Sequence, residues 1–163
     1  MPCPIRTAVA GLAAVILAPP ALAQEASAFE LASHGEYGLY LTDPAGRPVY
    51  AFISERGTAT DGLPSLESCG ESCREDWPPV TVSDTPTGAQ SLRADLFGRV
   101  SDEAAGDVAT YNSWPLFYYA HEDPDTEGPD GHAISTYGGW WALIAPDGEP
   151  IRTGVMPGAN VDG

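Results

Sequence analysis

One nine-residue stretch of this chain has an echo in another. Arg47-Pro48-Val49-Tyr50-Ala51-Phe52-Ile53-Ser54-Glu55 is echoed by Trp114-Pro115-Leu116-Phe117-Tyr118-Tyr119-Ala120-His121-Glu122, an offset of 67 residues. Proline falls on proline, an aliphatic residue on an aliphatic one, two aromatics on two aromatics at the same spacing, and glutamate on glutamate. A match of this kind makes an internal repeat the first hypothesis, because a duplicated unit restricts the folds available to the whole chain.

The echo extends both ways. Phe29-Glu30-Leu31-Ala32-Ser33 matches Phe97-Gly98-Arg99-Val100-Ser101, Gly38 to Asp43 resembles Val108 to Asn112 in character, and Trp77-Pro78-Pro79-Val80 matches Trp141-Ala142-Leu143-Ile144. The offset falls from 68 to 64 along the chain. Loops of unequal length between conserved strand-like pieces produce such a drift. The reading is two copies, residues 29–83 and 92–148, within a single domain.

Charge limits the partners. The chain has 23 acidic and 7 basic side chains, every base an arginine, for a net charge of -16. Nucleic-acid binding needs a basic footprint and is excluded, and anionic membrane surfaces are equally unfavourable. The first 23 residues read as a secretory signal peptide: Arg6, a short apolar run from Ala8 to Ala18, then Ala21-Leu22-Ala23 as a cleavage site. Residues 24–28 follow as a linker. No cysteine follows the cleavage site, so no membrane anchor is expected in the mature chain, which is placed in the periplasm or outside the cell. Cys3 leaves with the leader, and the remaining pair, Cys69 and Cys73, reads as a disulfide in an oxidising compartment.

Strand formers dominate the rest. Phe29 to Ser33, Tyr37 to Thr42, Pro48 to Ile53, Val80 to Val82, Val108 to Tyr111, Leu116 to Ala120 and Trp140 to Ala145 carry β-branched and aromatic residues between turn signals. Asp43-Pro44-Ala45-Gly46 is a turn that makes Pro48 to Ile53 the return strand of a hairpin. Glu55 to Glu67 reads as a loop, Ser68 to Asp76 as a helical turn ended by Trp77-Pro78-Pro79, Ser83 to Gln90 as a linker, Ser91 to Phe97 as a small helix, and Asn112-Ser113 as a hairpin turn. Sustained helical periodicity is missing. The expected fold is mainly β: one domain of two tandem pseudo-symmetric antiparallel repeats with short helical turns, and a loosely ordered tail over 149–163. Neither copy has enough strands to bury its own apolar face, so the two are expected to share one core.

Gly38-Leu39-Tyr40-Leu41-Thr42-Asp43, the Pro-Val-Tyr-Ala-Phe strand, the Cys-x3-Cys spacing and Trp-Pro-Pro together resemble the bacterial "secreted repeat of unknown function" family. Its members are predicted lipoproteins with a Tyr-x-(Phe/Trp/Tyr)-x-x-Asp motif, usually in tandem. The resemblance implies an envelope protein with two copies of the repeat and implies no activity. The chain departs from the pattern at Glu55 and Glu122, where the motif has Asp, at Phe117, where it has Tyr, and in lacking the lipid-bearing cysteine.

Two groups of residues could carry chemistry. Tyr50, Phe52, Phe117 and Tyr119 alternate along their strands, so each pair shares a face; they either pack in the core or line a pocket between the copies. Glu55 and Glu122 follow them at equal distance and either cap loops or form a facing carboxylate pair. The second group is the acidic loop 122–132. There His121, Asp123, Asp125, Glu127, Asp130 and His132 offer ligands to calcium or copper, although the twelfth position of a calcium loop is Ile134 rather than a bidentate glutamate. No nucleophile elbow, zinc-protease helix, phosphate loop or dinucleotide fingerprint is present. The expectation is a non-enzymatic binding or interaction protein for an envelope partner or a small ligand. It needs no cofactor unless the loop takes a divalent cation. The alternatives are a metal-binding protein and a hydrolase that uses the paired glutamates.

Overall fold

The computed structural model describes residues 28–54, 63–123, 125–126 and 128–153. The expected leader, most of the linker, Glu55, Glu127 and the tail beyond Thr153 lie outside the described residues. The fold is mainly β, with three small three-stranded sheets and two short helices among the described residues. Among the described residues no helix is long and apolar enough to cross a membrane.

Two hairpins set the pattern. β1 (Ala28–His34) and β2 (Gly38–Thr42) pair antiparallel, with Glu30 opposite Thr42 and His34 opposite Gly38. Further on, β5 (Phe97–Asp102) and β6 (Gly106–Tyr111) pair with Gly98 opposite Thr110 and Asp102 opposite Gly106. The second register is the first moved along by 68 residues. Each turn ends on a glycine with positive φ, 74° at Gly38 and 86° at Gly106, a conformation that costs glycine little. Gly38 therefore corresponds to Gly106. The sequence match of Gly38–Asp43 to Val108–Asn112 starts two residues late, because it followed side-chain character and ignored the turn glycine.

β3 (Tyr50–Ser54) does not return along β2 as a full hairpin strand. The Asp43 turn forms as expected: Asp43 Oδ1 accepts the amides of Ala45 and Arg47, both at 2.9 Å. Only the Thr42–Pro48 bridge and the Val49 amide bond to the Leu41 carbonyl follow it. The chain then leaves β2. Tyr50, Ala51, Phe52 and Ile53 are apolar on both faces, and all four are buried. Such a strand is stable only where it is covered on both sides. β3 gains that cover by pairing antiparallel with β9 (Gly139–Leu143), whose other neighbour is β8 (Ser135–Thr136).

Three further expectations are corrected. Residues 83–90 are more than a linker, since β4 (Thr87–Gly88) lies parallel to the start of β1. The loop read over 55–67 ends in α1 (Leu63–Ser68), which precedes α2 (Glu71–Asp76). Leu116 to Ala120 is no ladder strand: after β7 (Trp114–Pro115) its amides bond one by one to Ala109, Tyr50, Pro78 and Asp76. Asn112 and Ser113 do make the tight turn into β7, both with positive φ (49° and 67°), and Ala94–Leu96 is a single 3₁₀ turn.

The core is shared. One cluster gathers Phe29, Leu41, Val49, Val80, Phe97, Ala109, Leu116 and Ile144; another gathers Tyr50, Phe52, Trp77, Phe117, Trp141 and the Cys69–Cys73 disulfide. Each cluster draws on both halves of the chain. Residues that match in sequence also meet in space. Phe29 stacks on Phe97, with ring centroids 5.6 Å apart. Tyr50 and Phe117 exchange both backbone hydrogen bonds, at 2.8 and 2.9 Å. Trp77 lies flat on Trp141. The Leu41 amide donates to the Ile144 carbonyl and the Ala109 amide to the Val80 carbonyl.

Candidate functional site

The motif aromatics are structural. Tyr50, Phe52 and Phe117 are fully buried or nearly so, and Tyr119 is half-buried against Trp77. Where a pocket between the copies was one expectation, these rings fill a packed core instead. Their alternation places them there: alternate positions of β3 point to one face, and that face meets the Trp77–Trp141 pair.

Tyr50 is the link from this core to the acidic loop. Its hydroxyl donates to Glu122 Oε2 at 2.8 Å and accepts the Gly131 amide at 3.2 Å. The other Glu122 oxygen accepts the Asp130 amide at 2.7 Å. Glu122 thus closes its own loop, the first of the two roles open to it from the sequence. Burial lifts its carboxyl above the ordinary glutamate value, against the lowering effect of the Tyr50 hydroxyl and the Asp130 amide. Burial, together with the Glu122 charge, drives the Tyr50 hydroxyl well upward, so Tyr50 remains a donor. Gly131 is required here for close approach, since a Cβ would stand 2.7 Å from Tyr50 Cζ and 3.0 Å from Trp77 Cη2.

Of the candidate metal ligands, Asp123, Asp130, His121 and His132 are directed to other tasks. Asp130 Oδ2 accepts the Asp123 amide and the Thr126 hydroxyl, and Asp123 Oδ1 accepts the Asp125 amide. His121 reaches away to Asp76 at 2.9 Å. His132 is buried; its Nδ1 accepts the Leu143 amide and its Nε2 donates to the Thr153 carbonyl. Among the described residues no three His, Cys, Asp or Glu side chains converge as a metal site would require. The third histidine, His34, accepts the Glu36 amide at Nδ1.

A different feature went unforeseen. α1, α2 and the β5–β6 turn enclose an open groove of about 1030 Å³, lined by Leu66, Cys69, Gly70, Arg74, Ala104 and a set of carboxylates. Arg74 ties its two walls together. Nη1 and Nη2 grip Asp102 at 2.6 and 2.8 Å, while Nε and Nη2 reach the carbonyls of Cys69 and Leu66. Asp102 also accepts the amides of Ala104 and Ala105, which fixes the hairpin turn. The Arg74 guanidinium is the main reason why the Asp102 carboxyl lies well below the usual carboxylate range. Such a two-pronged pair is far more directional than a lysine contact. The pairing spans 28 residues, and no local signal in the sequence marks it.

Comparison with protein-family models, with curated proteins and with solved structures finds no match.

Proposed function

We propose that this chain is a non-enzymatic binding protein of the periplasm or the extracellular space, built from two copies of one repeat (residues 29–83 and 92–148) of the secreted-repeat type. Support for the duplication comes from the two hairpin registers 68 residues apart and from matched residues that face each other, Phe29 with Phe97 and Trp77 with Trp141. The export signal and the Cys69–Cys73 disulfide support the location.

The observation that carries the binding reading is the groove between the helices and the β5–β6 turn. Motif residues that could have faced a ligand are committed to the core, and Glu122 is committed to its loop, whereas the groove is concave, open and held by the disulfide and the Arg74–Asp102 pair. Concave surfaces are where ligands are most often bound.

Site-specific photocrosslinking in the exporting cell tests it. A crosslinking residue at Glu71 or Glu103 should give a discrete adduct, and one at Glu30, outside the groove, should not. Adducts from Glu30 alone, or from none of the three, would refute the groove as the binding surface.

A further inference from the structure

We draw no further inference here: the strongest candidate, the outer edge of β5 where Ser101 and Asp102 border the groove, has no strand paired to it among the described residues, and nothing in the structure shows what covers it.

Discussion

The indole rings of Trp77 and Trp141 lie 4.0 Å apart and within 2° of parallel, and neither is exposed to solvent. The sequence echo aligns the two, and around them stand Tyr50, Phe52, Phe117 and Tyr119. Removing either ring opens a cavity the size of an indole at the centre of the domain. Trp77→Ala and Trp141→Ala should each cost about 3–5 kcal/mol. Because the rings are in direct contact, the double variant should cost less than the two single losses added together. Urea unfolding followed by circular dichroism measures all three; additive losses would show that the stack is no energetic unit.

Neither half should fold alone. β3 of the first half finds its ladder partner in β9 of the second, and Tyr50 finds its reciprocal bonds in Phe117. A fragment of residues 24–90 would expose Tyr50, Phe52 and Trp77, and a fragment of residues 91–163 would expose Phe117 and Trp141. Expressed singly, each should be disordered or aggregated, and mixing the two should restore β structure. Sharp cooperative melting of an isolated half would overturn the shared core.

Gly131→Ala should be among the most damaging single-methyl changes in the protein. The added carbon meets Tyr50 and Trp77 at 3.0 Å or less, and neither buried ring can move away freely. Overpacking of this kind costs roughly 1–3 kcal/mol. The damage should show as a lowered melting temperature. Exchange of the Asp130 amide, which Glu122 now holds, should also accelerate.

How far the sequence disclosed this arrangement depends on the distance over which each feature is decided. Local turn positions were readable: the chain turns at Asp43-Pro44-Ala45-Gly46 and at Asn112-Ser113. Tyr50 and Phe117, which the sequence echo aligns, are paired through the backbone. Partner choice for β3 was not readable, because Asp43-Pro44-Ala45-Gly46 argues equally for a simple hairpin. What decides against it is that β3 is apolar on both faces, a demand met only by β9, some 90 residues away. α1 was missed because six residues are too few to show a period. The Arg74–Asp102 pair was missed because nothing near either residue names the other.

The disulfide should contribute modestly to stability and mainly position Trp77. Cys69 and Cys73 enclose a very short loop, so the chain-entropy contribution is about 2 kcal/mol. Both sulfurs pack in the cluster that holds Trp77, whose amide donates to the Cys73 carbonyl at 2.7 Å. Replacing both cysteines with serine should lower the urea midpoint by an amount matching that figure. It should also shift the tryptophan emission, because Trp77 loses its neighbour. Free thiols titrated in the native protein would contradict the bond itself.

Acid should loosen the end of the domain through His132. The ring is 7% exposed. It joins two segments, since Nδ1 accepts the Leu143 amide of β9 and Nε2 donates to the carbonyl of Thr153. Tyr37 packs on one side of it at 4.4 Å, and His34 stacks beyond Tyr37. Only the neutral ring can make both bonds, because protonation places a hydrogen on Nδ1 against the Leu143 amide. Burial accordingly holds His132 below the ordinary imidazole value of about 6.5, although the Thr153 carbonyl and the nearby Glu36 charge act in the opposite direction. A depressed histidine pKa means that the unfolded chain takes up the proton first. The stabilisation from the neutral ring is therefore complete above about pH 6.5 and is lost as pH falls toward and through the folded value. Glu122 acts with the opposite sign: its raised pKa makes it contribute more as pH falls through its own folded value, so wild-type stability alone would blend the two. The difference between wild type and His132→Gln isolates the imidazole. Measured by urea unfolding from pH 8 to pH 5, the stability gap between them should narrow as the solution becomes acidic. Protection of the Leu143 amide in the wild type, taken relative to its intrinsic exchange rate at each pH, should fall over the same interval. A gap that stays constant across that range would mean that the ring at position 132 does not titrate between the two states.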